Sequence, residues 1–274
     1  MTQVLIFTDL DACLLDARSY SFDLAMEALE AVRARHIPLV LASSKTRVEV
    51  EPIRFRLEHH HPFIVENGGG LFIPKGYFDY PVPWAQVRGT FQVIELGIPC
   101  VRLRAALKEI EQILACRLRG FGDMSAEEVA QRTGLSLPEA VLAKQREYDE
   151  PFVIEGPETF AGEVQRLAEA RGLRCTRGGL FHHLMGDSDK GKACHVLIDC
   201  YRRKQAHAGD GLLTVGIGDS LNDLSMLAAV DRPILVQRPD GSYDPEVQVA
   251  NVIRAPGIGP AGWNQAVLEI LTRN

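Results

Sequence analysis

The sequence predicts an α/β protein: a doubly wound, Rossmann-like parallel-sheet core with an inserted α+β domain. Three observations predict it. Short apolar, β-rich runs stop abruptly at polar residues; stretches of helical periodicity separate those runs; and the alternation breaks between roughly Trp84 and Leu184 before it returns.

Val4-Leu5-Ile6-Phe7-Thr8 has strand length, is apolar and stops at Asp9, the pattern of a central strand buried on both faces of a parallel sheet. Asp23 or Ser21 is placed to cap a helix in which Leu24, Ala28, Leu29 and Val32 recur at helical spacing. Pro38 to Ala42 reads as a second buried strand, Arg47 to Leu57 as a helix, Phe63 to Val65 as a short strand and Glu66-Asn67-Gly68-Gly69-Gly70 as a turn. The same βαβ grammar resumes with a helix at Gly191 to Arg202, a strand at Leu212 to Ile217, a helix at Ser220 to Val230 and a strand at Pro233 to Val236. Between them the spacing predicts a strand at Phe91 to Leu96, a long helix at Arg102 to Leu114 and charged helical stretches through Arg146. A strand at Phe152 to Glu155, a helix at Thr159 to Arg171 and a pair of segments punctuated by Gly178-Gly179 follow. The expected division is a core of residues 1–83 and 185–274 and an inserted domain of residues 84–184, with Pro81-Val82-Pro83 as linker.

Of the 274 residues 46% are hydrophobic and 24% charged, which suffices for a sizeable core and matches soluble globular proteins. A formal net charge of −6 argues against a nucleic-acid partner, which would call for a basic face, so an anionic substrate must be met locally. Met1 to Phe7 show no basic leader, and no window approaches the ~20 apolar residues of a membrane span. The expectation is a soluble, cytoplasmic protein without membrane association; its oligomeric state is not legible. Cys13, Cys100, Cys116, Cys175, Cys194 and Cys200 form no CxxC pair and are expected to be free thiols. His59-His60-His61 reads as a solvated helix-exit loop rather than a metal site.

Chemistry concentrates where the strands end. Asp9-Leu10-Asp11 brings two carboxylates to the carboxyl edge of the first strand, where ligands bind in open α/β folds. Gly216-Ile217-Gly218-Asp219-Ser220-Leu221-Asn222-Asp223 brings two more to the end of another strand, with Asp219 and Asp223 one helical turn apart. Hard oxygen ligands of this kind suit Mg²⁺. A phosphate ester among such acids needs fixed donors and cations besides the metal. Ser43, directly after the second strand, and Lys190, at the start of a helix, are the candidates.

The order DxD, then Ser after the next strand, then Lys, then GDxxND resembles the four motifs of the haloacid dehalogenase superfamily. The resemblance implies Asp9 as nucleophile, Asp11 as general acid/base, Ser43 and Lys190 as phosphate anchors, and Mg²⁺ held by Asp9, Asp11, Asp219 and Asp223. It implies an aspartyl phosphate that water hydrolyses, and it makes the inserted domain a C2-type cap that selects the leaving group. One departure stands out: the superfamily usually reads DxDGT, whereas Ala12-Cys13 follows Asp11 here.

Four local phrases are similar to those of the mannosyl-3-phosphoglycerate phosphatases: Ser43-Ser44-Lys45-Thr46, Glu66 to Gly70, Arg146-Glu147-Tyr148-Asp149-Glu150 and Gly259-Pro260-Ala261-Gly262-Trp263. That resemblance implies a small phosphorylated sugar-glycerate substrate, with Ser44, Lys45, Asn67, Gly68, Gly69, Arg146 and His183 as substrate-binding residues; where the family has arginine before the Phe matching Phe181 this chain has Leu180, and Arg177, just upstream across Gly178-Gly179, is the substitute candidate. Arg177, Arg146 or both would clamp the glycerate carboxylate. The readings that compete are a phosphatase of glucosyl-3-phosphoglycerate, sucrose phosphate or trehalose phosphate, phosphomannomutase-like chemistry, and a catalytically weak sugar-phosphate binding protein. Only the Ala12-Cys13 departure supports the last.

Overall fold

The computed structural model describes residues 2–178, 180–205 and 211–273; Met1, Gly179, 206–210 and Asn274 lie outside the described residues, and with them part of the turn expected at Gly178-Gly179. In chain order the elements are β1 (Gln3–Thr8), α1 (Met26–Ala34), β2 (Leu39–Ala42), α2 (Arg47–Arg56), β3 (Phe63–Val65), β4 (Gly70–Pro74), β5 (Gln86–Arg88) and β6 (Phe91–Glu95). They continue with α3 (Cys100–Leu114), β7 (Arg117–Gly120), α4 (Ala126–Thr133), α5 (Leu137–Ala143), β8 (Asp149–Glu155), α6 (Ala161–Glu169), β9 (Arg174–Gly178) and β10 (Phe181–Met185). Last come α7 (Lys190–Gln205), β11 (Leu212–Gly218), α8 (Leu224–Ala228), β12 (Arg232–Gln237), β13 (Ile253–Ile258) and α9 (Pro260–Arg273).

The chain divides into two compact units, Met1–Ser43 with His60–Ile94 and Asp189–Asn274 in the first, and Ser44–His59 with Glu95–Ser188 in the second. The first holds a large sheet in the order β13-β12-β11-β1-β2-β3-β4-β6-β5. Its strands run parallel from β13 to β3, whereas β4 returns antiparallel to β3 and β5 antiparallel to β6. In β1 the residues from Val4 to Thr8 are all buried, because a strand paired on both sides and covered on both faces has no outlet for polar side chains. Register then fixes the site: Thr8 pairs with Ile217 of β11, so the residues that follow these two strands emerge side by side at the carboxyl edge. The doubly wound core with an inserted α+β cap is the fold observed.

The second unit is built on an antiparallel sheet in the order β7-β8-β10-β9. Side chains alternate across it. Leu118, Phe152 and Leu184 pack on Leu103, Leu107 and Ile110 of α3 and Val164 and Leu167 of α6, while Phe121 and Phe181 pack with Val129 of α4 and Ala140 and Ala143 of α5. Capping boxes start α2 at Thr46 and Glu49, α4 at Ser125 and Glu128, and α5 at Ser136 and Glu139. Each satisfies two backbone donors that a helix start leaves open.

Several expectations need correction. The strand at Phe91, expected to open the inserted domain, extends the large sheet instead, where Phe91 meets Phe63 and Phe72 edge-on at centroid distances of 5.5 and 5.9 Å. Leu24 is 63% exposed, because a 3₁₀ turn at Asp23–Ala25 precedes α1 and rotates it out of the apolar stripe; Ala28, Leu29 and Val32 are buried as expected. Ser21 Oγ accepts from the Asp23 backbone N–H at 3.0 Å, and neither Ser21 nor Asp23 caps the helix proper. The histidine run is not uniformly solvated: His59 is buried and its Nδ1 accepts from Arg54 Nε at 3.1 Å, while His61 Nδ1 lies 2.7 Å from Tyr77 Oη. All six cysteines are free thiols, and Cys175 alone of them is only partly buried. No helix among the described residues is long and apolar enough to cross a membrane.

Candidate active site

Lys190, the first residue of α7, is fully buried, and its ammonium donates to Asp9 Oδ1 at 2.5 Å and to Asp223 Oδ1 at 2.6 Å. The other oxygen of Asp223 accepts from the backbone N–H groups of Asp219 and Ser220 at 3.0 and 3.3 Å. Asp223 is thereby committed to holding the loop and the lysine. Asp9 is fixed through its backbone N–H, which donates to Ile217 O at 2.9 Å. Gly218 allows this closeness, since a Cβ there would lie 2.5 Å from the Asp223 carboxylate. Asp244 completes the loop: its Oδ2 accepts from Leu221 N–H at 3.2 Å and stands 3.7 Å from Arg238 Nη1. Nothing in the sequence pattern singles Asp244 out, because it comes from an irregular connection.

Asp9, Asp219 and Asp223 each offer a carboxylate oxygen within 4.8 Å of the others, and all three are buried. Three carboxylates against one ammonium leave a formal charge of −2 in low dielectric. Burial pushes Asp9 well above its ordinary value, with Lys190 opposing and Asp223, Asp219 and Asp11 adding to it. Burial, then Asp223, pushes Asp219 up to about 7. Burial alone would lower Lys190, but Asp223 and Asp9 outweigh it and raise the ammonium above its ordinary value. Such an excess of buried negative charge, on hard oxygens, fits a divalent cation. Asp9 and Asp219 have the oxygens to face it. Asp11, also expected as a ligand, is not one of the three clustered carboxylates; it is half-buried and acts electrostatically on Asp9 and Asp219.

Ser43 is buried at the end of β2, its N–H donating to Ile64 O at 3.0 Å and its carbonyl accepting from Asn67 N–H at 3.1 Å. Asn67 has φ +52, and its Oδ1 is buried with no hydrogen-bond partner among the described residues. Gly68 has a packing reason: at φ +93 its Cβ position would fall 2.1 Å from Asp189 O and 2.9 Å from Lys190 N. The Glu66–Gly70 turn therefore seats the start of the helix that carries the lysine. Gly69 is buried beside it in helical conformation.

The Ala12-Cys13 departure costs little. Ala12 has φ +56, so the chain keeps the left-handed turn that glycine serves elsewhere. Cys13 is fully buried, and its thiol donates to Ile217 O at 3.6 Å and approaches Thr8 Oγ1 at 3.8 Å, supplying weakly what a hydroxyl would. Burial, then Asp9, pushes its thiol well up, so it is a protonated packing group. The double variant Ala12→Gly with Cys13→Thr is expected to retain at least wild-type activity. Its stability should stay within about 1 kcal/mol, because relief of left-handed strain and the entropy of glycine are of similar size. Phosphate-release assays and thermal melts check this; a large loss of activity with the fold intact would contradict it.

The second unit collects some of the expected substrate residues and separates one. His183 Nδ1 lies 2.8 Å from Asp149 Oδ2, and Arg146 Nη1 stands 3.6 Å from the same oxygen while donating to Ser44 O at 2.8 Å. Burial alone would raise Asp149, but His183 and Arg146 outweigh it and hold the carboxyl below its ordinary value. Asp149 was missed from sequence. The rest of its phrase is structural: Glu147 pairs with Arg47, Tyr148 Oη donates to Glu95 at 2.9 Å, and Glu150 accepts from Arg104, Gly122 N–H and Cys100. Arg177 is not brought to this group. It pairs across the strands with His182, whose side chain lies on the face opposite that of His183, and it forms an exposed ion pair with Glu158 at 3.2 Å. Ser44 and Lys45 are half-buried just before the cap of α2.

No protein-family model matches the chain. It is 46% identical over 270 residues to a glucosyl-3-phosphoglycerate/mannosyl-3-phosphoglycerate phosphatase of Methanococcoides burtonii, covering 98% of each chain. A mannosyl-3-phosphoglycerate phosphatase of Pyrococcus horikoshii is 39% identical over 233 residues, 85% of this chain and 90% of that one. Among solved structures, a phosphatase of the haloalkanoate superfamily from Bacteroides thetaiotaomicron superimposes with a TM-score of 0.68 over 99% of this chain and 96% of that one, at 17% identity, a likeness of fold. With two strand ends meeting at one buried lysine, and with identity of this extent along the whole length, the chain belongs to the mannosyl-3-phosphoglycerate phosphatase family.

Proposed function

We propose that the chain is a Mg²⁺-dependent, cytoplasmic phosphomonoesterase that converts mannosyl-3-phosphoglycerate, or its glucosyl counterpart, to the hexosylglycerate and phosphate. The observation that carries the chemistry is Lys190, buried between Asp9 and Asp223 at the meeting of two strand ends. In this reading Asp9 attacks phosphorus in line, the P–O bond to glycerate C3 breaks, and Asp11 protonates the departing alkoxide. Asp11 then takes a proton from water as that water opens the aspartyl phosphate. Lys190 and Ser43 hold the phosphoryl oxygens, and their fixed charge and dipole are in place before charge develops. Mg²⁺, held by Asp9 and Asp219 with Asp223 behind them, would neutralise the phosphate as it meets the carboxylates.

Release of inorganic phosphate from mannosyl- and glucosyl-3-phosphoglycerate, sucrose phosphate and trehalose phosphate, each with Mg²⁺ and with chelator, tests the reading. Higher kcat/KM on either disaccharide phosphate than on both glycerates would overturn it.

The glycerate carboxylate needs its own donors. We assign these to Arg146 and His183, which Asp149 orients, and not to Arg177. Arg146→Ala is expected to raise KM for mannosyl-3-phosphoglycerate by roughly tenfold or more, about 1.4 kcal/mol if KM tracks dissociation. Turnover of p-nitrophenyl phosphate, which lacks a carboxylate, should scarcely move, and Arg177→Ala should be silent on both substrates. Equal losses on both for Arg146→Ala would point to a damaged fold instead.

A further inference from the structure

Behind the nucleophile runs a hydrogen-bonded chain that the catalytic reading does not use. Trp263, in the first turn of α9, is fully buried, and its indole Nε1–H donates to Thr8 Oγ1 at 3.0 Å. Thr8, also fully buried, donates its hydroxyl proton to the backbone carbonyl of Asp9 at 2.8 Å. An indole can only donate and a hydroxyl has one proton, so the direction is fixed: Trp263 to Thr8 to Asp9. The Asp9 N–H is spent on Ile217 O, and both backbone groups of the nucleophile are therefore held.

Trp263 is itself well placed to hold something. Its backbone N–H donates to Gly259 O at 2.9 Å, and the side-chain Oδ1 of the next residue, Asn264, accepts the Ala28 N–H at 2.8 Å. Gly259 lies against the Ala12 carbonyl, with its Cβ position 3.1 Å away. The first turn of α9 is thus locked to the turn after Asp11 and to α1, and the indole cannot reorient without moving them.

We propose that Trp263 is a positioning residue for phosphoryl transfer, acting through the Thr8 hydroxyl to fix the Asp9 peptide and so the direction of its carboxylate. The proposal rests on Asp9 being the nucleophile. The carboxylate is separated from the held peptide by only two side-chain torsions, and in-line attack tolerates little misplacement. Packing alone accounts for a buried tryptophan, but it leaves the hydroxyl and the aspartate carbonyl without consequence for rate.

The test is steady-state kinetics of Trp263→Phe, Thr8→Val, the double variant and Thr8→Ser with Mg²⁺, on mannosyl-3-phosphoglycerate and p-nitrophenyl phosphate. Trp263→Phe should lower kcat about tenfold on both substrates and change KM less than twofold. Thr8→Val should do the same, and Trp263→Phe should add less than twofold in its background. Thr8→Ser, which keeps the hydroxyl, should stay within about threefold of wild type. A Trp263→Phe enzyme within twofold of wild type, or effects that multiply in the double variant, would overturn the proposal. If Trp263→Phe does not fold, equal kcat values for Thr8→Val and Thr8→Ser overturn it. A wild-type chain inert on every phosphomonoester removes the catalytic reading and this one together, whereas an active wild type with unaffected variants removes only the positioning.

Discussion

Asp9→Asn is expected to lower kcat at least about 10⁴-fold, the order seen when a nucleophile is deleted from a preorganised site. The amide keeps the shape of the carboxylate and its backbone bonds to Ile217 and Thr8. It also removes one of three crowded negative charges, in a group that burial already pushes toward protonation. Without Mg²⁺ the variant should therefore melt no lower than wild type. Turnover measured beside melting in chelator checks both halves. More than a tenth of wild-type kcat would take the nucleophilic role from Asp9.

Lys190→Met should be nearly as damaging to rate, by 10³-fold or more as an order-of-magnitude expectation, and unlike Asp9→Asn it should damage stability. The ammonium is wholly enclosed and bridges two carboxylates. Removing one partner of a buried ion pair strands the other charges, at about 3–5 kcal/mol. For a chain of this size that corresponds to a fall in melting temperature of roughly 6–20 °C in chelator. Mg²⁺ should restore part of the loss, because it supplies the cation that the three carboxylates then lack. Equal melting of variant and wild type in chelator would mean that the lysine contributes chemistry alone.

The legible parts of the molecule were those where burial writes a pattern. Val4 to Phe7 are apolar without interruption and Leu212 to Ile217 are broken only by Thr214, because both strands are central, and the acids after them mark the edge where they emerge. Strand β13, Ile-Arg-Ala-Pro-Gly-Ile, was illegible: as an edge strand it tolerates Pro256 and Gly257, which read as a loop. β7, Arg-Leu-Arg-Gly, likewise stands at the edge of its sheet and carries charge. The Thr46–Glu49, Ser125–Glu128 and Ser136–Glu139 boxes have a readable signature that apolar periodicity overshadowed. Within the site, Asp9, Lys190 and Asp223 were readable from residue type and order. Asp149 and Asp244 were not, because each is recognisable only by the partner that folding brings to it. Arg177 shows the converse: chosen as the arginine just upstream of Leu180, it lies on the face of the sheet opposite that of His183.

The central position of β1 has a consequence for how the chain is made. One of its two neighbours, β2, follows within the first 42 residues, but the other, β11, begins at Leu212. At roughly 5–20 residues per second, a ribosome needs about 10–40 s to deliver the second neighbour after the first strand is complete. For that interval the flank of β1 that will receive β11 has no native partner, and Val4 to Thr8 form a β-prone apolar edge of the kind that seeds association between nascent chains. The second unit is synthesised entirely within the delay, so it can fold before the large sheet is complete. Truncated chains ending before Leu212 should accordingly be far less soluble than the full chain, and yield on expression should respond to chaperone supply more than to temperature-stabilising substitutions in the finished core.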